Sequence, residues 1–143
     1  MTIVEFYEGA YGPTVRIDAQ EISAIESLIR AFELLSSRVG ERIDAKLLHE
    51  FKFTHSIEEL SLASVASPLR KKVLRTDQRK SLVRFQMLGT TDDWIDARDL
   101  ILPLLEGKPS HQYLSSVPPD DAIVEIAILE PRPDWIENSY STK

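Results

Sequence analysis

The chain has 143 residues, 43% of them hydrophobic and 28% charged, a size and balance that fit one folded unit and exclude a disordered or low-complexity protein. It holds no cysteine, which excludes disulfide frameworks, thiolate metal sites and a cysteine nucleophile, and agrees with a reducing, cytoplasmic setting. The net charge of −6 is unevenly placed: within 70–84, Arg70, Lys71, Lys72, Arg75, Arg79, Lys80 and Arg84 face only Asp77, so the remainder carries −12, the asymmetry of an acidic body with one basic edge.

The opening residues lack a basic leader followed by a long apolar run, and no later stretch reaches the roughly 18 apolar residues of a bilayer span, so secretion and membrane insertion are not expected. Residues 3–7 and 14–17 are β-prone runs joined by Gly9-Ala10-Tyr11-Gly12-Pro13, the pattern of a hairpin. Asp18, three residues before Glu21, reads as the cap of a helix whose buried stripe is Ile22, Ile25, Leu28, Ile29, Phe32, Leu35 and Val39, with Gly40 as its stop. From Lys46 the period changes to two, with Leu47, His49, Phe51 and Phe53 on one face of a strand. Residues 57–65 fit a further strand better than a helix, because Leu60, Leu62 and β-branched Val65 alternate with serines.

Residues 69–75 and 80–88 flank Thr76-Asp77-Gln78-Arg79, which makes the basic cluster a hairpin arm. Thr91 with Asp92 and Asp93 predicts the start of a second helix carrying Trp94, Ala97, Leu100, Ile101 and Leu104, with Pro103 disturbing its last turn and Gly107 and Pro109 ending it. A loop or short edge strand over 110–116, an acidic turn at Pro118-Pro119-Asp120-Asp121 and a closing strand over 122–129 follow, before Pro131 and Pro133 break the pattern. The expected architecture is α+β: a mainly antiparallel sheet with two helices packed on it, residues 1–130 forming a single domain and 131–143 a tail that Trp135 and Tyr140 pin to the body.

Chemistry has few places to reside. The three histidines are His49, His55 and His111, and none forms the close ligand pair of a metal site. His111 has the best claim to a role because it stands in the polar-capable run Ser110-His111-Gln112-Tyr113. The acid pair Asp92-Asp93 is explained by helix capping and Asp120-Asp121 by a turn, and with five glycines and no Gly-x-Ser-x-Gly elbow there is neither a phosphate cradle nor a nucleophile elbow. No catalytic residue, metal site or cofactor is expected, and the polar side chains read as dispersed for recognition. A small hydrolase or metal-dependent enzyme using His111 is the alternative. Nucleic-acid binding through Arg70, Lys72, Arg79 and Arg84 is a further one, disfavoured by the acidic total and the near absence of aromatic residues on the arm.

The segment Gly107-Lys108-Pro109-Ser110-His111-Gln112-Tyr113-Leu114, followed by Asp120-Asp121-Ala122-Ile123-Val124-Glu125-Ile126, resembles the closing part of small bacterial immunity proteins of polymorphic toxin systems. The resemblance implies a cytoplasmic antidote that occludes the active site of a cognate toxin and has no catalysis of its own. The partner-binding residues are then expected among His111, Gln112, Tyr113, Asp120, Asp121 and the cations Arg70, Lys72, Arg79 and Arg84.

Overall fold

The computed structural model describes residues 2–48, 51–54, 57–77, 82–115 and 118–131. Strands β1 (Thr2–Gly9) and β2 (Gly12–Ala19) lead into helix α1 (Ile22–Ser37). Strands β3 (Arg42–Asp44), β4 (Phe51–Phe53), β5 (Ile57–Ser64), β6 (Val73–Asp77) and β7 (Val83–Gly89) follow. Helix α2 (Thr91–Ile101), a 3-10 turn (Leu102–Glu106), β8 (Ser110–Tyr113) and β9 (Ile123–Ile128) complete the described order.

The strands form two sheets, β4-β1-β2-β9-β8 and β3-β5-β7-β6. The α+β class holds, but the sheets are mixed rather than mainly antiparallel: β1 with β4, β2 with β9 and β5 with β7 run parallel. The reason lies in the connections. Among the described residues only β1 to β2, β6 to β7 and β8 to β9 pair as sequence neighbours, while each parallel pair is bridged by a crossover long enough to bring the chain back in the same direction.

Alternation decides which side of the first sheet meets the core. Val4 and Phe6 of β1, Val15 and Ile17 of β2, and Val124, Ile126 and Ile128 of β9 are buried on one face, against α1 residues Ile25, Leu28, Phe32 and Leu35. Each such side chain contributes about 1.5–3 kcal/mol of burial. Phe6 and Phe85, with ring centroids 5.2 Å apart, join the two sheets, and Phe32 and Trp94, at 5.3 Å, join the two helices. The indole N–H of Trp94 donates to the Ala63 carbonyl at 3.0 Å, tying α2 to β5.

Several local expectations shift by a few residues for physical reasons. Asp18 does not cap α1: it lies within β2 and is buried, while Glu21 occupies the cap position without a side-chain bond to the helix. The strand expected from Lys46 begins as a 3-10 turn over Ala45–Leu47, with the Asp44 carboxylate accepting from the Lys46 N–H, and Leu47 points outward. The short β3 before it lacks a long enough alternating run to announce itself. Thr90, rather than Thr91, caps α2, in a reciprocal box with Asp93. Gly107 ends the following turn at a positive φ of 74°, a conformation that suits glycine. The expected anchors Trp135 and Tyr140 lie outside the described residues. Among the described residues no helix is long and apolar enough to cross a membrane.

Candidate functional site

The face of the first sheet turned away from the core is where polar groups gather. Register places Glu5 opposite Arg16, Arg16 opposite Glu125 and Glu125 opposite Tyr113, so one row of side chains crosses four strands. The next row contains Asp18, Ala127 and His111, and the row on the other side Tyr7, Thr14 and Ile123. Beyond β9, Leu129 adopts a left-handed φ of 53° while its N–H donates to the Ala19 carbonyl at 2.9 Å. The chain thereby turns, and Glu130 reaches both His111 and Arg16.

The result is a closed ring. His111 Nδ1 lies 2.8 Å from Glu130 Oε2, and Glu130 Oε1 lies 3.5 Å from Arg16 Nη2. Arg16 Nη1 donates to Glu125 Oε1 at 2.9 Å, Tyr113 stands opposite Glu125 across the β8–β9 pair, and Tyr113 returns to His111 edge-on with ring centroids 5.2 Å apart. These groups, with Tyr7, Tyr11 and Thr14, line a cleft of about 280 Å³. Tyr11 stands at the tip of the β1–β2 hairpin, 89% exposed.

The electrostatics follow from burial. Arg16 is only 4% exposed, and burial alone would lower its pKa; the attraction of Glu125 and Asp18 and the hydrogen bond to Glu125 overcome this and the net shift is upward. Burial, then the charge of Glu125, raise the pKa of both Tyr7 and Tyr113, which keeps both phenols neutral at physiological pH. With Asp18 4.0 Å from Arg16, the carboxylates of Asp18, Glu125 and Glu130 surround one guanidinium, and the fully buried Glu5 stands opposite it in the same row. Arg16 Nε and Nη2 are buried without a hydrogen-bond acceptor.

As a donor set for a metal, His111, Glu125 and Glu130 bring one ligand atom each to within 4.8 Å of one another. Arg16 already occupies one Glu125 oxygen, which leaves that carboxylate a single free oxygen for a metal. As an acid–base pair, His111 and Glu130 are within hydrogen-bonding reach at a cleft wall. The polar groups are therefore less dispersed than the sequence suggests.

The other expected site residues are placed differently. Gln112 points to the opposite face from His111 and Tyr113 and is half-buried. Asp120 is buried and accepts from the backbone N–H groups of Lys72 and Val73 at 2.6 and 3.0 Å, so its carboxylate is turned inward to hold β6 rather than outward to a partner. Asp121 accepts from the Arg75 N–H at 2.9 Å and pairs with Lys71 at 2.7 Å. On the basic hairpin, Lys72 pairs with Asp93 at 2.9 Å and Arg84 with Glu58 at 3.0 Å and Glu59 at 3.7 Å, while Arg70 is exposed. Arg79, His49 and His55 lie outside the described residues.

Sequence reasoning missed Arg16, Glu125, Glu130 and Tyr11. A signal for two of them was present: Val15-Arg16-Ile17 and Val124-Glu125-Ile126 each set one charge inside an apolar strand, and opposite charges at matching positions of two buried strands can neutralise each other. Comparison with protein-family models, with curated proteins and with solved structures finds no match for this chain.

Proposed function

We propose that the chain is a non-catalytic protein-binding module, most concretely an immunity protein that binds and neutralises a cognate toxin. The observation that carries the reading is the acidic cleft walled by tyrosines at the β8 side of the first sheet. Exposed tyrosines beside partly desolvated charges have the chemistry of an interface hot spot, since they offer large apolar area with a polar tip. The resemblance of 107–126 to immunity proteins falls on the same place, because His111 and Tyr113 are on β8 and Glu125 is on β9. An acidic body of this kind suits a basic partner such as a nuclease toxin, whose phosphate-binding groups the carboxylates would engage.

The test is co-expression with the product of the adjacent gene. Rescue of growth together with co-purification supports the reading, and toxicity unaltered by the chain, with no complex formed, removes it.

A second reading, an enzyme using His111, draws on the His111–Glu130 contact within the cleft. It requires turnover: hydrolysis of activated ester or phosphate substrates, with or without added Zn²⁺, that disappears in both His111→Ala and Glu130→Gln. Absence of turnover under all these conditions removes it.

A further inference from the structure

The cleft combines features that a solvated acidic patch does not need. Its carboxylates outnumber the guanidinium at its centre, with Asp18, Glu125 and Glu130 all within 4.0 Å of Arg16. Arg16, more than nine-tenths buried, has two donor atoms without an acceptor, and one of them, Nη2, points toward Glu130 at 3.5 Å, too long for a good hydrogen bond. Glu130 is held on its other oxygen by His111, whose ring is 41% exposed and so accessible for displacement. Aromatic faces stand beside these groups, Tyr113 half-exposed and Tyr11 almost fully so.

We propose that this cleft receives an arginine side chain of the protein partner. The incoming guanidinium stacks on Tyr11 and Tyr113 and donates to Glu130 in place of His111. Released from the histidine, Glu130 closes by about half an ångström onto Arg16 Nη2 and supplies the acceptor this donor lacks, so one carboxylate bridges two guanidinium groups. Arginine suits the site better than lysine because a planar fork can stack on tyrosine and meet a carboxylate with paired donors, whereas an ammonium is a compact, strongly hydrated charge. A metal ion is the poorer occupant, since Arg16 holds a Glu125 oxygen it would need. The inference rests on the protein-binding reading and names the group that reading leaves open.

The experiment titrates the full chain with N-acetyl-arginine amide, its uncharged isostere N-acetyl-citrulline amide, N-acetyl-lysine amide and ZnCl₂, following amide and ring NMR signals. The expected result is saturable shifts at Tyr11, His111 and Tyr113 with the arginine compound, binding at least about tenfold tighter than citrulline, and weakening as salt rises. Glu130→Gln is expected to weaken the arginine compound about tenfold, and Tyr11→Ala, at an exposed hairpin tip whose loss leaves the fold intact, several-fold. Equal binding of citrulline and arginine, or Zn²⁺ shifting the same signals while arginine does not, overturns the proposal. If the chain still captures its toxin while arginine leaves the cleft signals unmoved, the guanidinium site is wrong and the binding module stands. If arginine binds in the cleft but no toxin is captured, the site stands and the module reading falls.

Discussion

The basic hairpin and the cleft face of the first sheet treat charge in opposite ways. In the hairpin, cations that are neighbours in sequence are drawn to different acids, Lys71 to Asp121, Lys72 to Asp93, Arg75 to Glu8 and Arg84 to Glu58, and do not converge on one centre. In the sheet, Arg16, His111, Glu125 and Glu130 come from distant parts of the chain and are brought into one ring, with Arg16 and Glu125 both buried. Concentration of charge along a sequence is therefore a poor guide to concentration in space. Pairs of the first kind contribute little, because exposed partners are well solvated and screened. A buried charge such as Arg16 cannot be removed without stranding the buried carboxylates that hold it.

That contrast can be broken most forcefully at Arg16. Arg16→Met leaves Glu125 and Asp18 buried without their cation, and the expected loss is about 3–5 kcal/mol in urea unfolding. A loss under about 1 kcal/mol would show that the ring is solvated like the hairpin. Asp120→Ala comes next: it strands the Lys72 and Val73 N–H groups and is expected to cost about 1–3 kcal/mol. Hydrogen exchange should then speed up along β6 before it does along β2; uniform acceleration would contradict a local role.

Acid sharpens the comparison with a smaller effect. Burial would raise the pKa of Asp93, but hydrogen bonds from Lys72 and Thr90 bring it below its ordinary 3.8, and Lys71 with the Arg75 N–H does the same for Asp121. A depressed carboxylate pKa means that the stabilisation is complete above the unfolded value and lost as pH falls through the folded one. The urea midpoint should therefore lose these contributions below about pH 4, and Asp93→Asn with Asp121→Asn should flatten part of that acid limb. An unchanged acid limb in the double variant would deny these pairs a role. Smallest of all, Arg84→Gln should leave the midpoint close to that of the parent chain, since its partners Glu58 and Glu59 are exposed enough to be rehydrated.

Much of the fold was legible because it depends on local rules. The 3.6-residue stripe from Ile25 to Leu35 announces α1, alternation announces β7, the β-prone run of 122–129 announces β9, and the Gly-rich link between β1 and β2 announces their hairpin. The split into two mixed sheets was not legible, because parallel pairing of β2 with β9 and β5 with β7 is settled by tertiary packing and leaves no mark in either strand alone. The site was half visible. His111 and Tyr113 stood out in a polar-capable run, and the acidic turn beside them drew attention to Asp120, whose carboxylate proves to be turned inward. Arg16 and Glu125 were hidden in strands that otherwise read as core, and Glu130 depends on the left-handed turn at Leu129, a conformation that leucine does not advertise.

The most direct measurement compares capture of the proposed partner, the product of the adjacent gene, by variants of the two regions. Glu130→Gln should reduce affinity about tenfold and Tyr11→Ala several-fold while leaving the fold intact by circular dichroism, and Arg84→Gln should bind as the parent does. Full affinity in the cleft variants, with binding lost on neutralising Arg84, would place recognition on the basic hairpin and contradict the account.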